Sequence, residues 1–270
     1  KDAPLSTDDI FDLQGQAAFV TGAGQNTGRG IAIRLAKQGA AVAVNDYFLD
    51  RAEAVTKEIN DFGGKAVAVQ ADVGDLYSVF GAFETAKAAI GDISILINNA
   101  GNAGPGGFNS TFPLFWETSP EDWERFFRVN LYGVMNCARA ACPDMVKAQY
   151  GRVITIISDA GRVGEARMAD YSAAKAGAAG FMRGLARDLG KFNVTANNIA
   201  ISTQMPDVSS ERVTQYLSSD RAKAQLSRYI IRRFGQPDDV AAMVAYLASP
   251  AASWVTAQTY PVNGGYSIAN

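Results

Sequence analysis

Residues 17–33 read AAFVTGAGQNTGRGIAI, and the spacing of glycine in this run decides how the rest of the chain is read. Ala17-Ala18-Phe19-Val20 has no polar face, as a strand buried on both sides requires, and Thr21-Gly22 ends it. The loop TGAGQNTGRG leads into Ile31-Ala32-Ile33, so a helix is expected to start near Gly28. Such a turn aims backbone N–H groups and the positive end of a helix dipole at any phosphate beside it. Gly22, Gln25, Asn26, Thr27 and Gly28 are therefore candidate cofactor residues. A plain tight turn uses the same glycines, so the loop alone does not establish a nucleotide site. Asn26 stands where such loops often have glycine; asparagine tolerates left-handed backbone better than other side chains, so the turn can survive it.

The next apolar run, AVAVND, ends in Asp46, about twenty residues beyond the loop. A carboxylate there can take both hydroxyls of an adenosine ribose and repel a 2′-phosphate, which points to NAD rather than NADP. The alternative is an aspartate that caps the following helix. Short apolar runs and longer amphipathic stretches continue to alternate as far as residue 262, the βαβ rhythm of a parallel sheet. The expected fold is a single α/β domain over 1–270: a Rossmann-type, doubly wound parallel sheet of about seven strands with helices on both faces.

NAGPGGFNSTFPLFWETS carries too much Gly and Pro for regular structure and reads as a long loop. Ser119-Pro120-Glu121-Asp122 then opens a helix that is expected to run to about residue 149. Beyond it come a strand at RVITIIS, a helix carrying Tyr171 to Leu189, a strand at NVTANNIA, a polar helical region near 209–231, a helix at PDDVAAMVAYLAS and a last strand at QTYPV.

Composition removes several function classes. The net charge of −2 leaves no basic field for nucleic acid or for a membrane surface. No apolar stretch reaches the roughly 20 residues that span a bilayer, and the polar start has no signal-peptide pattern, so a cytoplasmic protein is expected. Cys137 and Cys142 suggest neither a zinc site nor a disulfide framework, and no metal is expected. The chain has no histidine, which removes a Ser-His-Asp triad and leaves another residue to move protons.

Tyr171 and Lys175 in YSAAK stand four apart and share one helix face. An ammonium beside a phenol stabilises phenolate and is expected to draw the tyrosine pKa down from about 10. Such a pair is more often just a solvated helix face. Here it follows a strand that ends in Ser158, whose hydroxyl could hold a substrate oxygen.

With these residues in order, the chain resembles the short-chain dehydrogenase/reductase family from Ala17 to Gly265. The resemblance rests on the glycine loop, Asp72-Val73, Asn98-Asn99-Ala100-Gly101, Asn130 in RVNLYGV, Ser158, YSAAK, RRFGQPDDVA and VNGG. It implies that Tyr171 exchanges the hydroxyl proton, Lys175 lowers its pKa and holds the nicotinamide ribose, Ser158 positions the substrate oxygen and Asn130 holds a relay water. It further implies that Asp72 and Val73 flank the adenine, that Asn99 and Gly101 line the cofactor cleft, and that the chains form a homotetramer. Asn98 and Asn99 could instead be structural brackets.

The sequence departs from the family where Pro-Gly and a threonine usually follow the sixth strand; here Ile201-Ser202-Thr203 would hold the nicotinamide carboxamide through Ile201 and Thr203. Phe112, Phe115 and Trp116 would wall an apolar substrate pocket or pack on a neighbouring subunit. Selectivity is expected from the 102–118 loop, Asp159 to Asp170 and a substrate-loop region at about 203–231. The implied activity is an NAD(H)-dependent exchange of a small-molecule secondary alcohol and ketone. The runner-up is a 3-oxoacyl thioester reductase, for which a basic docking patch could draw only on Lys147, Arg152 and Lys191. From another class comes a nucleotide sensor or scaffold that kept the fold without turnover.

Overall fold

The computed structural model describes residues 10–102, 112–205 and 211–268. Seven short runs form the strands: β1 Ala17–Val20, β2 Ala41–Asp46, β3 Lys65–Gln70, β4 Ile95–Asn98, β5 Gly151–Ser158, β6 Val194–Ile201 and β7 Thr259–Val262. All pair in parallel, in the order β3-β2-β1-β4-β5-β6-β7. The order reverses between β1 and β4, and in open α/β sheets ligands bind outside the carboxyl ends of the strands at such a point.

Around the sheet run α1 Asn26–Lys37, α2 Leu49–Asp61, α3 Leu76–Ile90, α4 Pro120–Phe127, α5 Gly133–Ala148, α6 Ala160–Val163, α7 Ala169–Leu189, α8 Glu211–Ser218, α9 Asp220–Leu226 and α10 Pro237–Ala248. Alternate strand residues point to opposite faces. Leu96, Val153 and Ala196 meet Phe83 of α3, Ala138 of α5 and Ala178 of α7 on one face. Ile97, Ile154 and Ile199 meet Leu35 of α1 and Val244 of α10 on the other. Both faces are apolar, so these strands need no polar side, which is why their sequences do not alternate. Met205, Ala222, Tyr229 and Phe234 form a small separate core under α8 and α9.

Two boundaries differ from the expected ones. α1 begins at Asn26, two residues before Gly28, because Asn26 takes the left-handed turn itself with φ of 47°. The helix after Ser119 is not uniform: a π turn at Arg128–Tyr132 separates α4 from α5. Ser119 Oγ accepts from Asp122 N and Asp122 reaches back to Ser119 N, so the start is a capping box with proline in the first turn.

One polar row crosses the apolar sheet. Asn98, Thr155, Asn198 and Thr259 are register neighbours on β4, β5, β6 and β7. Asn98 Nδ2 donates to Thr155 Oγ1 at 3.2 Å and Asn198 Nδ2 to Thr259 Oγ1 at 3.3 Å. The Oδ1 atoms of both asparagines are buried without a hydrogen-bond partner among the described residues.

Candidate active site

A cleft of about 560 Å³ opens at the carboxyl end of the sheet. Gly22, Gln25, Asn26, Thr27 and Gly28 line it from the first loop and the start of α1. Asp46 enters from the end of β2, Asp72 and Val73 from beyond β3, Asn99 and Gly101 from beyond β4, Ile201 from β6, and Tyr171 and Lys175 from α7. The chain's own packing demands the two loop glycines. A Cβ at Gly22, where φ is 59°, would lie 2.8 Å from Ala100 Cα, and one at Gly28 would lie 2.1 Å from the Gly22 carbonyl oxygen. Asn99 Nδ2 donates to the carbonyls of Thr21 and Gly22 at 2.9 and 3.0 Å, so the residue brackets the loop while lining the cleft.

The Asp46 carboxylate is buried and braced: Oδ2 accepts from Gly24 N and Oδ1 from Phe48 N, both at 3.0 Å. Each oxygen can accept a further bond from a hydroxyl in the cleft. Asp72 is engaged by Arg128 at 2.5 Å and by Gly74 N at 2.9 Å. Arg51, which sequence reasoning passed over, also lines the cleft, with its guanidinium 4.4 Å from the centre of the Phe48 ring. Its signal was available: it lies in the first turn of the helix that follows Asp46. A dinucleotide fits this donor set, with its phosphates at the loop and α1 and a ribose diol at Asp46.

A second cavity of about 700 Å³ holds Ser158 and Tyr171. Tyr171 lines both spaces, so it stands where they meet. Its hydroxyl lies near enough to Ser158 for that side chain to favour the phenolate, and Ser158 Oγ accepts from Ala160 N at 3.2 Å. Lys175, at 5% exposure, donates from Nζ to the Ile156 carbonyl at 3.0 Å, and burial pushes its pKa down to about 8.

The expected lowering of the Tyr171 pKa is not seen. Burial raises it, opposed only by the nearby Ser158 side chain. The chain alone thus stores Tyr171 as a neutral phenol.

Asn130 is fully buried on the π turn. Its Nδ2 donates to the carbonyls of Asn102 and Phe126 at 2.8 and 3.0 Å, and Oδ1 accepts from Asn102 N at 3.2 Å. Phe126 lies four residues back, so the side chain serves a carbonyl that a regular α-helix would give to a backbone N–H. A Cβ at Gly101 would meet Asn130 Oδ1 at 3.2 Å and Lys175 Nζ at 3.4 Å, so this glycine keeps open the space between the two side chains.

Thr203 lines the second cavity and not the cleft. Its hydroxyl accepts from Gln225 Nε2 at 2.8 Å and its N–H donates to Tyr229 Oη at 3.2 Å, which draws it toward α9. Phe112 borders the second cavity and a smaller one that Phe115 also lines, whereas Trp116 borders neither of these and is 77% exposed. Residues 103–111 of the 102–118 loop and 206–210 of the 203–231 region lie outside the described residues. Glu165, Arg167, Arg221 and Arg228 on the second cavity fall within the stretches expected to set selectivity without being singled out there, and Tyr266 lies outside those stretches. No local pattern marks them, because they arrive from three separate stretches of chain.

Arg152 cannot serve a basic docking patch as expected. It is 2% exposed, donates to the Gly151 carbonyl at 2.9 Å and lies 4.5 Å from the centre of the Tyr150 ring.

Among the described residues no helix is long and apolar enough to cross a membrane. A family model described as enoyl-(acyl carrier protein) reductase matches residues 22–267. The 3-oxoacyl-(acyl-carrier-protein) reductase of Staphylococcus aureus is 36% identical over 251 residues, 93% of this chain and 97% of that protein. Among solved structures, a 7α-hydroxysteroid dehydrogenase complexed with NADH and 7-oxo glycochenodeoxycholic acid superposes with a TM-score of 0.85 at 32% identity, covering 97% of this chain and 98% of the other. A gluconate 5-dehydrogenase from Burkholderia cenocepacia, in complex with NADP and tartrate, gives 0.85 at 30% identity, covering 97% and 99%.

Proposed function

Because the chain belongs to the short-chain dehydrogenase/reductase family of oxidoreductases, we propose that it interconverts a small-molecule secondary alcohol and the matching ketone with NAD(H). The observation that carries this reading is Tyr171, which lines both the cofactor cleft and the second cavity, where Ser158 also stands. When bound, the nicotinamide supplies or accepts the hydride.

The chain's residues orient the substrate and move the proton. Ser158 holds the carbonyl oxygen of a ketone beside the Tyr171 hydroxyl, which donates its proton to that oxygen as the alcohol forms. In the reverse direction Tyr171 accepts the proton. Lys175 holds charge near the phenolate that donation leaves behind, and with Asn130 and Gly101 it borders a space suited to a relay water. The buried Asp46 supports NAD over NADP, since a 2′-phosphate there would meet a carboxylate. Exposed Tyr132 just before α5, Met135 on α5 and Trp254 near β7 support the proposed homotetramer.

The test is an assay of ketone reduction with both cofactors. The expected result is higher kcat/KM with NADH than with NADPH, and a fall in kcat of about 100-fold or more in Tyr171→Phe. NADH binding without turnover on a broad panel, unaltered by that substitution, would leave a nucleotide sensor as the function. The thioester-reductase reading draws support from the relative at 36% identity but loses Arg152 from its docking cations. Turnover of 3-oxoacyl thioesters well above simple ketones would restore it.

A further inference from the structure

The second cavity carries more positive charge than its own carboxylates neutralise. Five charged side chains line it: Asp159, Glu165, Arg167, Arg221 and Arg228. Asp159 is ion-paired to Arg162 at 3.0 Å, and Glu165 to Arg228 at 3.6 Å. Arg167 and Arg221 have no carboxylate within ion-pair distance among the described residues.

Arg167 is also held in an unusual way. Its φ of 63° is left-handed backbone, which a long side chain seldom adopts. One arm, Nη1, donates to the Phe112 carbonyl at 2.8 Å, which leaves the rest of the guanidinium fork free to face a ligand. The same cavity also has apolar lining from Phe112, Met168 and Tyr229.

Resting on the dehydrogenase reading above, we propose that Arg167 and Arg221 recognise a carboxylate, so that the substrate is a hydroxy or oxo acid. Its apolar body lies along Phe112 and Met168, its reacting carbon lies at Ser158 and Tyr171, and its carboxylate is remote from that carbon. A volume of about 700 Å³ accommodates a ligand much larger than a short keto acid. Planar guanidinium forks match carboxylate oxygens geometrically, and such charge-assisted bonds are about twice as strong as neutral ones.

The test uses methyl-ketone carboxylic acids of increasing chain length, with their methyl esters and primary amides as neutral counterparts. With NADH present, the longer acids are expected to show about tenfold higher kcat/KM than their esters, with the advantage shrinking as salt is raised. In Arg167→Gln and Arg221→Gln the acid-to-ester ratio is expected to fall toward one. Arg167→Gly serves as the second variant at this position, since glycine accepts the left-handed backbone and guards against misfolding. Equal kcat/KM for acids and esters in the parent, or an acid preference unchanged in the variants, overturns the proposal. If no compound is reduced, the dehydrogenase reading fails, and calorimetric binding of acid against amide still decides the anion site.

Discussion

At Asn26 a single backbone angle reconciles an odd sequence with an ordinary loop. Its φ of 47° is the angle a glycine would have supplied, and asparagine is the substitute that strains least there. Asn26→Ala is expected to lose about 1–2 kcal/mol in denaturant unfolding, with Asn26→Gly near the parent; equal losses would place the cost in side-chain contacts. Lys175 gives a second prediction with a definite sign. The folded protein holds it at about 8 against an ordinary 10.5, so between those values the unfolded chain binds more protons. Its burial therefore costs stability in full below about pH 8, and the cost fades as pH rises to 10.5. Lys175→Met is expected to abolish turnover yet stabilise the fold at pH 7 by up to about 3 kcal/mol, less the lost bond to Ile156. Melting curves that coincide with the parent at every pH would count against this. Tyr171 and Lys175 share the cleft side of α7, as their four-residue spacing allows. The direction of the Tyr171 shift was not legible in the sequence, because spacing reports proximity and says nothing of how much water burial removes.

Among the elements, the helix that follows Ser119 shows what local sequence can and cannot carry. Its start was readable in Ser119-Pro120-Glu121-Asp122, and the capping box forms. Ser119→Ala is expected to cost about 1 kcal/mol by thermal unfolding while leaving kcat close to the parent, since Ser119 lines neither the cleft nor the second cavity. The π turn at Arg128–Tyr132 had no such signal, since it depends on Asn130 finding the carbonyls of Asn102 and Phe126. Thr203 illustrates the same limit: its position follows from Gln225 and Tyr229, more than twenty residues further along. Arg152 reads as a surface cation by residue type, yet it lies in a strand covered on both faces.

For the whole molecule, the parallel order and the two-sided core followed from apolar runs without a polar face, and they place Asp46, Asn99, Ser158 and Ile201 at one end of the sheet. The stretches that carry the charged rim of the second cavity were readable as selectivity regions, but which of their side chains share one cavity was not, because α9 and the 159–170 segment are far apart in the chain. Stability at this scale also depends on the polar row from Asn98 to Thr259. Thr155→Val removes the acceptor of Asn98 Nδ2 in a fully buried position, and a loss of about 1–3 kcal/mol is expected by urea denaturation. No measurable loss would mean that the row is ornamental.

The same row acts as a checksum on strand alignment. A strand laid down one residue out of step turns its side chains to the opposite face, where the amide of Asn98 or Asn198 would meet hydrocarbon with no hydroxyl opposite. Uniformly apolar strands cannot detect that error, since Val, Ile and Ala fit either face. The two asparagines therefore penalise a mispaired sheet that apolar side chains alone would accept.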